Sequence, residues 1–316
     1  MYKIVVIGYG QMCADIILGI KDFGAEVVGV VLDEQIKNNT LVLNLKRFFL
    51  PSFDYSFIKN LKLKEIKVKS VNSEKFKKEI LKLNPDFIFV ASWSEKLKNE
   101  IINLPKIAAI NVHPSLLPKY RGANPYQRVI MNGEKKSGVT FHLMTENFDS
   151  GAILLQKEIE IVPSETGGSL KNKTCVSART SVCELLKSLS EEIIVPISQN
   201  ESEATYFPQI DENDVIIDFK KTAEEIDAKL RGLSPWACGY FNVKGYYFKI
   251  TKYKILEKQH NSLPSTVLQR KKNTLEIALQ NNKSIYLMNL KGMTSIETFF
   301  IPIILNALVK KGDMIG

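Results

Sequence analysis

Short apolar, β-branched runs alternating with helical stretches constrain this 316-residue chain more than any other feature. Lys3–Ile7 has the pattern of a strand, ends in Gly8-Tyr9-Gly10, and gives way to a helical stretch from about Met12 to Phe23. Val27–Leu32, Asp86–Ala91 and Ala108–Val112 repeat the strand pattern, with Lys-rich helical segments between them. Strands that alternate with helices predict an α/β fold with a mostly parallel sheet. Ligands of such sheets sit at the carboxyl ends of the strands. Ser169–Leu189 is expected to be a helix closing this region, and residues 35–70 a solvated surface. Around Asn200–Asn213 the chain turns polar, which suits a linker. Beyond Trp236, the runs Gly239–Asn242, Gly245–Lys252, Thr266–Leu268, Thr274–Leu279 and Ser284–Leu290 are separated by Gly and Asn turns. They predict a small, OB-like β-barrel. At about 150 residues per domain, the expected division is residues 1–203, then linker and barrel over 204–316.

The longest apolar run, Phe299–Val309, is broken by Pro302 and Asn306 and falls short of the roughly 20 residues of a membrane helix. The apolar N-terminus lacks a cleavage-site pattern and is expected to be the first strand. Cys13, Cys175, Cys183 and Cys238 are widely spaced with no C-x-x-C pair, so neither a disulfide frame nor a metal site is expected. A cytoplasmic location fits. The net charge of +9 is concentrated in one part of the chain. Residues 231–316 hold 13 Lys and Arg against 4 Asp and Glu, leaving 30 of each in the first 230. A basic C-terminal region attracts a polyanion such as tRNA, or is simply lysine-rich surface; charge alone leaves both open.

Two motifs bear on chemistry. Gly8-Tyr9-Gly10 follows a strand, opens a helix, and has Asp33 at the end of the second strand, the setting of a dinucleotide site. Cys13 stands where that pattern needs its third glycine. More specific is Asn111-Val112-His113-Pro114-Ser115-Leu116-Leu117-Pro118-Lys119-Tyr120-Arg121-Gly122. Two residues apart on a strand, Asn111 and His113 leave the same face. Asp149 follows 36 residues after His113, in Asp149-Ser150-Gly151. An amide that donates to an oxyanion, an imidazole and a carboxylate that accepts a proton form an acyl-transfer set. No Ser or Cys has an activating context, so direct transfer is expected rather than an acyl-enzyme.

These motifs resemble the N10-formyltetrahydrofolate-dependent formyltransferases. In that family Asn-x-His-Pro-Ser-Leu-Leu-Pro-x-Tyr-Arg-Gly and a downstream Asp-x-Gly carry the catalytic residues, here Asn111, His113 and Asp149. The resemblance extends to Asn132–Thr140 and to Leu230-Arg231-Gly232-Leu233-Ser234-Pro235-Trp236, which is similar to the start of a C-terminal domain. It implies that N10-formyltetrahydrofolate binds through two loops resembling Ser94–Leu97 and Thr145–Phe148. Ser94, Glu95, Leu97, Leu116, Thr145 and Glu146 are the donor-binding residues it implies, largely through backbone. It also implies that the sheet is Rossmann-like and binds no NAD. For the acceptor amine, the segment Asp33–Thr40 lacks the Arg-Gly cluster of the tRNA-modifying relatives. The expected substrate is therefore a nucleotide-linked amino sugar, with methionyl-initiator tRNA as the alternative. Arg128 is expected to meet a substrate phosphate or a surface carboxylate. Tyr206, Phe207, Trp236, Tyr240 and Phe241 are expected in the barrel core rather than on a base-stacking platform.

Overall fold

The computed structural model describes residues 1–315, apart from the side chains of Gln35 and Ile36; Gly316, the end of the expected second domain, lies outside the described residues. Up to residue 122 the chain runs β1 (Lys3–Gly8), α1 (Gly10–Asp22), β2 (Glu26–Leu32), α2 (Glu34–Lys37), α3 (Thr40–Phe49), α4 (Phe53–Asn60), α5 (Glu74–Leu83), β3 (Phe87–Ala91), α6 (Asn99–Ile102), β4 (Ala108–His113) and β5 (Arg121–Gly122). It continues with α7 (Pro125–Met131), β6 (Lys136–Leu143), β7 (Ile153–Glu160), α8 (Gly167–Ser190) and β8 (Tyr206–Phe207). Then come α9 (Glu212–Val215), α10 (Ala223–Leu233), β9 (Gly239–Val243), β10 (Tyr246–Ile250), β11 (Lys252–Glu257), β12 (Val267–Lys271), β13 (Thr274–Ala278), β14 (Lys283–Met288) and α11 (Ser295–Leu308). The chain forms two units, one of Met1–Pro125, Lys136–Glu160 and Lys171–Phe207, the other of Tyr126–Lys135, Ile161–Leu170 and Pro208 onward.

The first unit is built on a sheet in the order β2-β1-β3-β4-β6-β7. Its first four strands run parallel, β6 pairs antiparallel with β4, and β7 pairs antiparallel with β6. β1 from Ile4 and all of β3 are buried, which is why both are unbroken apolar runs. β1 ends where its backbone must approach β3 closely. A Cβ on Gly8 would sit 2.0 Å from the Ala91 carbonyl oxygen and 3.1 Å from Cys13 Cβ. Gly8→Ala is therefore expected to destabilise the protein by about 3 kcal/mol, measured by chemical denaturation; a change within 0.5 kcal/mol would show that the strands part freely.

The segment 35–70 departs from the expected solvated surface. Leu43, Ile58, Ile66 and Val68 are buried, and so is Arg47. Arg47 donates to Glu34 and to both oxygens of Glu65, and its guanidinium lies 4.3 Å from the Tyr55 ring centroid. Partners supplied by α2, α4 and the segment after α4 make that burial tolerable.

In the second unit the expected closed barrel is replaced by two ladders. β9 and β10 form a hairpin, and β11-β14-β13-β12 form an antiparallel sheet. Among the described residues no ladder closes the ring. Closure is unnecessary because helices cover the apolar face: Ile226 and Leu230 of α10 and Ile301 and Leu305 of α11 join Phe241, Phe248, Leu275 and Ile285 in one core. The Phe299–Val309 run thus belongs to a core helix, and among the described residues no helix is long and apolar enough to cross a membrane. The aromatic residues divide. Phe241 is core, whereas Trp236 is 48% and Tyr206 62% exposed.

Candidate active site

β4 ends at the carboxyl edge of the sheet and carries Asn111 and His113 on one face, as its alternation requires. Antiparallel pairing with β6 sets Asn111 opposite His142 and His113 opposite Thr140. Asp149 lies in the β6–β7 connection at φ +55°, a left-handed conformation held by its surroundings. The three motif residues converge. Asn111 Nδ2 donates to Asp149 Oδ1 at 3.1 Å, and His113 Nδ1 lies 3.4 Å from the same oxygen.

Several contacts hold Asp149 in place. The Gly122 N–H donates to its Oδ2 at 2.9 Å. Gln199 Nε2 donates to the carbonyls of Asp149 and Gly151, at 2.8 and 2.7 Å. Arg121 in turn donates to Gln199 and Glu201. A Cβ on Gly151 would lie 1.8 Å from the Leu143 carbonyl oxygen, so only glycine lets this loop return onto β6. The motif residues Arg121, Gly122 and Gly151 therefore act by placing the carboxylate.

Electrostatics divides the pair. Burial raises the Asp149 carboxyl, but the neighbouring His113, the contact with His142 and the Gly122 hydrogen bond outweigh it and hold it well below the usual carboxylate range. Burial lowers His113, and this outweighs the attraction of Asp149. His113 Nε2 lies 2.7 Å from the Tyr120 carbonyl, which can only accept, so Nε2 carries the hydrogen. In the neutral ring Nδ1 is then a bare acceptor beside Asp149.

Sequence reasoning missed His142 and Gln199. His142 Nδ1 donates to the Leu143 carbonyl at 2.9 Å, leaving Nε2 to accept from Asn111 Nδ2 at 3.1 Å. Both amide hydrogens of Asn111 are thereby engaged, one by Asp149 and one by His142. The chain has three histidines, and one of the other two lies on the strand leading to Asp149, which could have drawn attention to it. Nothing in the local sequence marks Gln199, because its partners lie some 50 residues away.

The expected donor-binding residues are scattered in role. Thr145 and Glu146 are exposed in the loop before Asp149, and Thr145 Oγ1 donates to the Asn147 carbonyl. Ser94 is exposed after β3. Glu95 directs its carboxylate to Ser70, the Val71 N–H and Asn72, and Leu97 is in the core. Leu116 packs over Gly138, where a Cβ would lie 2.5 Å from its Cδ2. The side chains of Glu95, Leu97 and Leu116 are thus committed within the protein. The exposed loop beside a buried carboxylate fits a ligand read through backbone.

The other candidates resolve differently. The Gly10 N–H at the start of α1 donates to Asp54 Oδ1 at 2.7 Å, so a carboxylate of the chain itself takes the position a dinucleotide phosphate would need. Arg128 forms a two-pronged pair with Asp214, both bonds 2.6 Å; it meets a protein carboxylate, and its expected phosphate contact is set aside. Among the described residues no group of three or more His, Cys, Asp or Glu is arranged to hold a metal ion.

Residues 2–185 match the family model described as formyl transferase, and residues 209–300 match formyl transferase, C-terminal domain. The methionyl-tRNA formyltransferase of Enterococcus faecalis is 37% identical over 225 residues, 70% of this chain and 72% of that protein. The protein of the same name from Caldanaerobacter subterraneus is 34% identical over 85% of this chain and 86% of its own length. Among solved structures, an N-formyltransferase from Helicobacter canadensis in complex with folinic acid and dTDP-3-aminofucose has a TM-score of 0.66. It is 20% identical, covering 91% of this chain and 99% of its own, a likeness of fold. The relatives of higher identity overturn the expectation of an amino-sugar acceptor. The absent Arg-Gly cluster was a weak guide, because loop composition drifts faster than the elements it joins.

Proposed function

The chain belongs to the formyl transferase family, is a formyltransferase drawing on N10-formyltetrahydrofolate, and on that premise we propose that it formylates the α-amine of methionyl-initiator tRNA. The observation that carries the acceptor assignment is the identity of 34–37% with methionyl-tRNA formyltransferases over 70–85% of the chain. The basic stretch 231–316 supports it, since a polyanionic acceptor gains affinity from such charge. We place catalysis in residues 1–203, an accessory domain in 204–316, and the reaction in the cytoplasm. We assign donor binding to the backbone of Ser94–Leu97 and Thr145–Phe148.

N10-formyltetrahydrofolate supplies the formyl carbon. Attack by the neutral amine forms a tetrahedral centre, and Asn111 stabilises its oxyanion by exchanging one of its two present hydrogen bonds for the new acceptor. The bare Nδ1 of His113 takes the proton the amine must lose, and the Asp149 carboxylate beside it supports that removal by stabilising the imidazolium. Collapse breaks the bond to N10, which takes that proton back from His113, and tetrahydrofolate departs as the neutral amine. Asn111→Ala is expected to lower kcat by 10²–10³-fold, about 3 kcal/mol; a loss under about ten-fold would remove it from the oxyanion role. The reading itself is tested by following tetrahydrofolate release with methionyl-initiator tRNA and, in parallel, nucleotide amino sugars. Release with the charged tRNA alone is expected, and release with a sugar alone would overturn the assignment.

A further inference from the structure

The second unit carries a cleft that formyl transfer does not use. Ile210, Glu212, Pro235, Trp236, Tyr240 and Lys249 line a space of about 490 Å³, within the range of small-ligand sites. Trp236 forms part of its wall and stacks on Tyr126 with ring centroids 6.5 Å apart and planes 24° apart. It keeps nearly half its surface exposed although its neighbours are packed, for a Cβ on Gly167 would lie 3.0 Å from its ring. The Lys249 ammonium stands 5.9 Å from the Tyr240 ring centroid. Asp211 spends its carboxylate on the N–H groups of Asn213 and Asp214 at the start of α9, whereas Glu212, one residue on, is exposed.

We propose that this cleft binds a nucleobase bearing an exocyclic amino group, adenine, cytosine or guanine rather than uracil, within the RNA acceptor. The inference rests on the RNA reading above and adds a subsite to it. An indole face accepts any base by stacking, and a carboxylate adds preference by accepting from an exocyclic amine. The Lys249 ammonium then meets the attached phosphate, within the part of the chain that carries all the surplus positive charge. Aromatic, carboxylate and ammonium in one cleft match the base face, the amino group and the phosphate of a nucleotide, and none of them takes part in the chemistry at Asp149.

The chain has two tryptophans, so fluorescence isolates the site. In Trp93→Phe, whose emission comes from Trp236, AMP, CMP and uncharged tRNA should quench saturably. AMP and CMP should bind about ten-fold more tightly than UMP. Glu212→Gln should erase that difference. Trp236→Phe should abolish saturable quenching, and Trp236→Ala should raise KM for methionyl-tRNA about ten-fold with kcat unchanged. Absence of saturable quenching, or quenching that survives Trp236→Phe, overturns the site. Equal binding of UMP overturns recognition of the amino group. Quenching by mononucleotides but not by tRNA overturns the RNA source and leaves a free-nucleotide site. Wild-type protein that fails to formylate methionyl-tRNA would overturn the acceptor assignment by itself, since the titration requires no turnover.

Discussion

Asp149→Asn should lower kcat by about 10³-fold or more, with KM for the formyl donor changed only a few-fold. Asparagine has nearly the same shape and tolerates the left-handed backbone at φ +55°. Its amide oxygen can still accept the Gly122 N–H, so the loop is expected to keep its place. What it cannot do is carry the negative charge that supports His113 when the ring takes the proton released by the attacking amine. The neighbours of the Asp149 carboxylate hold it ionised far below its ordinary range, which makes it a standing negative charge beside His113. The same interactions make Asp149 a source of stability above the normal carboxylate range, lost as pH falls through its lowered value. Initial rates and a denaturation series for the variant decide the matter. A loss under ten-fold would make Asp149 a structural residue.

His113→Asn should cost a similar factor, about 10²–10⁴-fold in kcat, and should also change the pH dependence. Burial lowers His113 from 6.5, so the ring is neutral at pH 7 with Nδ1 ready to accept. Activity is therefore expected to rise with pH on the acid side, with one limb centred below 6.5 that disappears in His113→Asn. Stability follows the same group. Between the lowered value and 6.5 the unfolded chain binds a proton that the folded protein does not, so the free energy of unfolding falls as pH drops through that window. A wild-type profile without this limb would show that neutral His113 does not limit the reaction. Comparing variant and wild type separates the histidine from the amine, because the amine titrates in both.

Much of the first unit was legible because parallel strands buried on both faces leave continuous apolar runs. β1, β2, β3 and β4 fall within a residue or so of the expected segments. The segment 35–70 was not legible, since Lys- and Asn-rich composition conceals four buried apolar side chains and Arg47 with its partners. The second unit was legible in five of its six strands, β11 having no expected run, and not in its closure. Periodicity reports which face a strand buries, not whether another strand or a helix such as α11 covers it.

The same division runs through the site. The sequence by itself determined that Asn111 and His113 share a face, because a strand alternates every two residues whatever surrounds it. Its motif also placed Asp149 in the same set. Only the tertiary structure decided that His142 takes the second hydrogen of Asn111, through the register of β4 on β6. It alone brought Gln199 to the Asp149 loop, directed Arg128 to Asp214, and turned Trp236 outward into its cleft. These are contacts between residues far apart in the chain. Their geometry depends on how the elements pack, and local spacing contains no record of that.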